Sequence, residues 1–444
     1  MPINAERIIL LYLDLVGVLR GVEKPYIDRN EYYQSFFDAS SVYGFEEIEN
    51  SDLKLVVPRK RLKKIPWNNR IYGGIASIYY VDDKRYVKDP RFIAEKTVKY
   101  LENLGYKAYI GVEFEFFLFK SISVKIGYDK QLLRIIAPET HSNKYLLPPR
   151  HGYQVVDPID EIQEVRHRIV KGIEKLGYRV IKSHHEVASS GQLEITLEHT
   201  EFLDACDAVV WVKYASKNIA LRNGYVAIFL PKPLSSDNGS GLHIHVSLTN
   251  TRGDKCLFED PDEEYGLSNL ARYFIGGLLI HGRSLSALVS PTVNSYRRLI
   301  PGYGAPTILA WSVGNRSVAV RVPSSKKGVY RIEYRPPDPM MNPYLALSAI
   351  VLAGLDGIKN KIEPPQPLNE NAYKYSVKEL EKMGYKQLPR SLEEALDELE
   401  NDHEYLKPVF SREVIESYIE VKRREAKKLQ AIPTPSEYYY YMYW

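Results

Sequence analysis

The stretch KAYIGVEFEFFLFK, residues 107 to 120, constrains the chain more than any other. Its aromatic and aliphatic letters predict a β-strand, and a strand sends side chains two apart to one face. Glu113 and Glu115 therefore point the same way. Two neighbouring carboxylates repel each other unless a positive charge lies close, and a divalent cation is the economical partner. A solvent-facing edge is the plain alternative for one Glu-x-Glu pair taken by itself.

The pattern recurs three times. HHEVASSGQLEITLEH (184–199) puts Glu186 before a Ser-Ser-Gly turn and Glu194 after it, so a hairpin-like return brings both to one site. DNGSGLHIHVSL (237–248) is a glycine-rich turn feeding a strand on which His243, His245 and Ser247 share a face. GVYRIEYRPPDP (328–339) does the same for Arg331, Glu333 and Arg335. One histidine on an apolar strand is more often a satisfied core residue than a ligand, but four strands with acid or imidazole on one face point to metal. Five carboxylates and an imidazole exceed what one ion takes, which predicts two or three ions. Oxygen donors with a single nitrogen suit Mg2+ or Mn2+ better than zinc.

Arginines are the second theme: Arg298, Arg316, Arg321 and Arg335 lie in the half of the chain that supplies Glu333. Guanidinium forks bind phosphates and carboxylates bidentately, and beside divalent metal they are the equipment of phosphoryl transfer. No GxxxxGK[ST] loop is present, so the nucleotide site is not of the P-loop kind.

Composition narrows the remaining classes. A net charge of +4 over 444 residues, with RKRLKK (59–64) as the nearest approach to a basic block, gives no reason to expect a nucleic-acid partner. The two cysteines, Cys206 and Cys256, form neither a disulfide framework nor a thiolate zinc motif, which fits a reducing, cytoplasmic setting. IILLYLDLVGVL (8–19) is preceded by Glu6 and Arg7 and interrupted by Asp14, so it reads as a strand rather than a signal or membrane segment. Short apolar runs at 8–20, 53–57 and 77–82 predict a small β-rich N-terminal domain. Asp89-Pro90 then caps a helix that ends at Gly105, and further helices are expected at 158–176, 201–222, 265–281, 342–358 and 411–428. The aromatic ending YYYYMYW is too apolar for a free tail and is expected to dock on the domain or on another subunit.

Several ordered motifs now carry a resemblance: FDASS (37–41), GVEFEFFLF, HHEVASSGQLEI, FLPKP (229–233), NGSGLHIHVSL, NSYRRLIPGY, NRSVAVRVP, RIEYRPPDPMMNPYLALSAIVLAGLDGI and TPSEYYYY. Over nearly its whole length the chain resembles type I glutamine synthetase. The resemblance implies an α+β protein, with an N-terminal β-grasp domain (1–88) and a C-terminal catalytic domain (89–444) built on a curved antiparallel sheet. It also implies a homo-dodecamer of two hexameric rings, with active sites between subunits. Matched by position, Glu115, Glu186 and Glu194 would hold one metal, and Glu113, His243 and Glu333 the second. Asn238, Gly239, Arg298 and Arg335 would bind L-glutamate. His245, Ser247, Arg316 and Arg321 would face ATP, with Arg316 nearest the transferring phosphoryl group.

The implied chemistry is attack of the glutamate γ-carboxylate on ATP, followed by displacement of phosphate from γ-glutamyl phosphate by a nitrogen nucleophile. One position departs from the pattern. RRLIPGYGAP (297–306) has Gly304 where ammonia-using members carry glutamate, the carboxylate that helps bind ammonium and take its proton. Asp38, matching the other ammonium-binding carboxylate, is retained, and Tyr153 and Ser41 fit the same pocket. The vacated volume suggests a glutamate–amine ligase for a small primary amine such as methylamine or ethylamine. Polyamine or ethanolamine ligation, an ordinary glutamine synthetase, and a non-catalytic regulatory homologue are the alternatives.

Overall fold

The computed structural model describes residues 6–28, 30–127, 130–141, 145–323, 331–430 and 442–443. Most of the YYYYMYW ending, and the TPSEYYYY motif, lie outside these residues.

Two small sheets open the chain. Arg7–Leu13 pairs with Leu19–Pro25 and, in parallel, with Ile71–Ile75, which Lys63–Lys64 flanks. Tyr32–Asp38, Asp52–Pro58 and Ser77–Tyr80 form the second. The run mistaken most easily for a signal core is thus a buried strand: Ile8, Leu10, Leu11 and Leu13 are all inside.

The helix Pro90–Asn103 starts as its letters dictate, with the Asp89 side chain accepting from Arg91 N–H and proline in the first turn. It packs on the long strand Tyr106–Phe119 and on the helix Pro343–Asn360. That strand is the axis of a nine-stranded sheet; seven strands run in the order Val180–His185, Gln192–Leu197, Tyr106–Phe119, Leu242–Asn250, Ile332–Tyr334, Val320–Val322, Trp311–Val313, and Thr200–Glu201 and Val226–Ile228 pair with the axis off this path. All these neighbours are antiparallel except Val320–Val322 and Trp311–Val313. Along the axis Val112, Phe114 and Phe116 are buried whereas Glu113 and Glu115 are only half-buried, the alternation that two-residue periodicity requires. One face therefore carries the core and the other the acids.

The helices Phe202–Arg222 and Arg412–Gln430 match the expected spans closely. Two start later than expected. At Gln163–Lys175 the preceding Asp160 carboxylate takes Ile162 N–H and holds a turn, and at Asn269–Ile280 the Ser268 hydroxyl caps the first turn. The helices Gly282–Val289 and Leu392–Asn401 were not foreseen. No helix among the described residues is long and apolar enough to cross a membrane.

Candidate active site

The central sheet's register assembles the acids. Glu194 stands directly opposite Glu115, and His243 directly opposite Glu113. His245 is opposite Glu333 on the next strand. Glu113, His243 and Glu333 form one group whose donor atoms lie within 4.8 Å of one another; His184, Glu186 and Glu194 form a second by the same measure. Glu115 lies between them, 3.8 Å from His243 Nε2, and accepts from Gly241 N–H at 2.7 Å. His184 was passed over in the sequence, although it is two residues before Glu186, the same spacing that singled out Glu113 and Glu115.

The electrostatics differ between the two groups. Burial and the Glu186 and Glu194 carboxylates push Glu115 up to about 8. Burial also raises Glu186. Glu113 is likewise buried, but the His243 and His245 imidazoles outweigh this and hold it well below the usual carboxylate range. Burial and the Arg335 guanidinium lower His243, which favours the neutral ring that ligates metal. Glu333, fully buried, is gripped by Arg335 on one oxygen and Arg321 on the other, and despite burial it falls to about 2. A concentration of carboxylates with one imidazole per group is the donor set that hard divalent cations take.

A cavity of about 560 Å³ opens on these acids. Asn238, Gly239, Arg298, Arg335, Tyr153, Gly304 and Arg316 all line it, together with Glu113, Glu115, Glu186, Glu194 and His243. Arg298 is buried and held by the carbonyls of Pro336 (2.7 Å) and Arg335 (3.1 Å). Gly241 makes room for it, since a Cβ there would come within 2.6 Å of the Arg298 Nη2. His245 and Ser247 line a second cavity of about 400 Å³ with Tyr109, His199 and Arg331, and Glu113 borders both spaces. Arg321 borders neither; its guanidinium is spent on Glu333 and the Gly314 carbonyl.

Asp38 and Ser41 are not brought in. Asp38 ends the strand Tyr32–Asp38 and Ser41 ends the turn Ala39–Ser41 that follows; both are at the surface and do not line the cavity of their own chain. The Asp38 carboxylate accepts from the Ser40 hydroxyl (2.6 Å) and the Ser41 hydroxyl (3.1 Å), and the Ser40 contacts bring it down to about 2.

Gly304 sits in a loop that three contacts fasten. The Tyr303 ring lies 3.8 Å from Lys232 Nζ and 4.3 Å from the Arg150 guanidinium carbon, and the Tyr373 hydroxyl donates to the Ala305 carbonyl at 2.8 Å. Gly304 itself has φ of +79°, and a Cβ built on it would meet only Asn238 Nδ2, at 3.5 Å. The space beside it is open. The sequence did not disclose Tyr303, Lys232 or Tyr373 as partners of this loop, since nothing local links positions 150, 232, 303 and 373.

Paired acidic groups on one face of a mostly antiparallel sheet, flanked by buried arginines, make a site fitted to divalent metal and an anionic substrate. Residues 87–441 match the family described as "Glutamine synthetase, catalytic domain". A glutamine synthetase of Sulfolobus acidocaldarius is 42% identical, over 99% of this chain and 96% of its own length. That of Thermotoga maritima is 38% identical, over 99% and 97%. A cryo-EM structure of Plasmodium falciparum glutamine synthetase superposes with a TM-score of 0.86 at 27% identity, covering 99% of this chain and 96% of that one. The chain belongs to the glutamine synthetase family.

Proposed function

We propose that this protein joins a small primary alkylamine, methylamine or ethylamine in size, to the γ-carboxylate of L-glutamate at the expense of ATP. Family membership carries the broad part: an ATP-dependent glutamate ligase that works with divalent metal. The alkylamine rests on Gly304, whose left-handed backbone and open flank leave a tail-sized space beside the glutamate pocket.

In the first step a γ-carboxylate oxygen attacks the terminal phosphorus of ATP and ADP leaves. Arg298, Arg335 and Asn238 orient glutamate, and Arg316 faces the charge that develops on the phosphoryl oxygens. Glu115, Glu186 and Glu194 would hold one divalent cation, and Glu113, His243 and Glu333 a second, which would supply positive charge to the phosphates. In the second step the neutral amine nitrogen attacks the γ-carbonyl carbon, the C–O bond to phosphate breaks, and the departing phosphate takes the proton that the nitrogen gives up. Asp38, ionised across the physiological range, suits an ammonium head better than it suits proton abstraction. Since it stands at the surface of its own chain, it would reach the cavity of a second copy, in keeping with two stacked hexameric rings in the cytoplasm.

The cavity also speaks to the tail. Among the described residues its only carboxylates are Glu113, Glu115, Glu186 and Glu194, all in the metal groups. A polyamine would need a further acid for its second ammonium, whereas Tyr153, Tyr303 and Ala305 suit a short carbon tail. The names of the relatives favour a second reading, an ordinary glutamine synthetase using ammonia. Phosphate release from ATP with glutamate and Mg2+, against ammonium, methylamine, ethylamine, ethanolamine, putrescine and spermine, separates them when products are weighed by mass spectrometry. Turnover with a short alkylamine at least tenfold above ammonium is expected. A preference for ammonium would replace the alkylamine reading by the second, and no turnover with any amine would favour a silent homologue.

A further inference from the structure

The hairpin that carries Glu186 rests on a buried pair that borders neither cavity. Glu139, in the short turn Glu139–His141, and His185, at the end of strand Val180–His185, are both 0% exposed. Glu139 Oε1 lies 3.4 Å from His185 Nε2. The other ring nitrogen, Nδ1, lies 2.8 Å from the Glu186 carbonyl oxygen. Both neighbours are acceptors, so the imidazole bridges the Glu139 carboxylate and the backbone at Glu186. Neither Glu139 oxygen nor His185 Nε2 has a hydrogen-bond partner elsewhere among the described residues, which leaves each facing the other. Burying either group without the other would leave a polar group unmatched, so the two are of use only together.

Asp160 completes a group whose donor atoms fall within 4.8 Å of one another. Its oxygens are already taken, by Ile162 N–H at 3.1 Å and by Arg166 at 2.6 Å. Asp160 is thus committed to Arg166, and Glu139 and His185 are left facing each other. The cluster needs no cation and acts instead on what is laid over it.

Two segments are laid over it. Gln154 N–H donates to the His185 carbonyl (2.9 Å) and Gly152 N–H to the Val187 carbonyl (3.1 Å), so the loop bearing Tyr153 is stitched to both sides of Glu186. A Cβ on Gly152 would come within 2.6 Å of the Glu186 carbonyl oxygen and of His185 Cε1. Glycine therefore lets this loop lie flat on the imidazole. Tyr153 then reaches the cavity with its ring edge-on to His184 at 5.4 Å.

We propose that Glu139 and His185 are a positioning pair that fixes the backbone at Glu186 and the Tyr153 loop together, and so sets the geometry of one metal group and of the pocket wall beside it. The inference rests on the metal role given to Glu186 above. The test is direct Mn2+ binding to the metal-stripped oligomer, followed by the electron paramagnetic resonance signal of free Mn2+, alongside thermal unfolding of the metal-free protein. Glu139→Gln, which keeps the shape and removes the charge, is expected to weaken Mn2+ binding about tenfold, and Glu139→Asp to recover part of the loss. A folded Glu139→Gln protein that unfolds at lower temperature yet binds Mn2+ within about twofold of wild type would overturn the proposal, because the pair would then be structural only. If Glu139→Gln does not fold, His185→Gln removes the pair from its other side, with Mn2+ binding within about twofold of wild type as the adverse result. Glu186→Gln is the separate control: undiminished Mn2+ binding there would sink the metal role of Glu186 and not the pair.

Discussion

Glu115 and Glu194 stand directly opposite each other in neighbouring antiparallel strands, the one half-buried and the other buried, with Glu186 beside them. Their mutual repulsion is stored in the metal-free protein. Burial and these neighbours put Glu115 at about 8, above the 4.5 of a free glutamate, so folding takes up a proton between those values. That contribution to stability is complete below pH 4.5 and is lost as pH rises through 8. Metal-stripped protein is therefore expected to lose unfolding temperature from pH 5 to pH 8.5. A divalent cation at a hundredfold its dissociation constant adds about 2.7 kcal/mol and flattens the decline. Calorimetry with and without Mn2+ across that range checks this, and parallel curves would count against a metal on these acids.

Gly304 offers a test of specificity with its own stability control. Its φ of +79° costs any side chain about 1–2 kcal/mol, whatever the room available. Gly304→Ala should lower stability by about that amount and leave the ratio of alkylamine to ammonium turnover near its starting value. Gly304→Glu should pay the same strain and also refill the space beside Asn238. Its alkylamine turnover should fall about tenfold or more relative to ammonium, in kcat/KM. Equal ratios in the two variants would show that the position does not select the amine.

How much of this was legible in the letters depends on range. Glu113 and Glu115 could be placed on one face because strand periodicity is local, and Glu186 and Glu194 could be paired because a glycine turn separates them. The contact of Tyr303 with Lys232 and Arg150 joins residues some seventy and a hundred and fifty positions away, and no local rule encodes such a pairing. Arg321 illustrates the same limit in a charged group. Its strand is readable, but its commitment to Glu333 follows from sheet order, which brings Val320–Val322 beside Ile332–Tyr334. The helix Gly282–Val289 escaped notice because it follows Asn269–Ile280 after one residue and merges with it in any apolar profile.

His281 sits at that junction and gives a pH prediction remote from the site. Its Nδ1 faces Asp402 at 2.9 Å and its Nε2 faces Asp356 at 3.0 Å, with Ser284 donating to Asp402 and the Tyr405 ring stacked at 4.2 Å. Burial opposes the charge, but the two aspartates win and raise its pKa above 6.5. The imidazolium's contribution is complete below 6.5 and is lost as pH climbs through the raised value. His281→Asn should therefore cost about 2 kcal/mol at pH 6 and distinctly less at pH 9. Denaturant unfolding at both values measures it; an equal cost at both would mean the ring packs there uncharged.

Arg316 lies exposed on the cavity rim, so its removal should leave folding intact. If it meets the phosphoryl group in the transition state, Arg316→Gln should lower kcat about a hundredfold or more with little change in the KM for glutamate. A change confined to KM would make it a ground-state binder.

The same variant allows a test of whether sites are shared between chains. Asp38 faces outward from its own chain, whereas Arg316 lines the cavity. If a neighbour's Asp38 completes each cavity, Asp38→Asn and Arg316→Gln are inactive for reasons that reside in different chains. In oligomers reassembled from equal parts of the two, each cavity takes its Arg316 position from one chain and its Asp38 position from the next. About one cavity in four then combines both wild-type residues, and activity should return to about a quarter of wild type. Were Asp38 to serve the cavity of its own chain, every cavity would carry one lesion whatever the mixture. Activity in the mixture would then stay at the level of the separate variants.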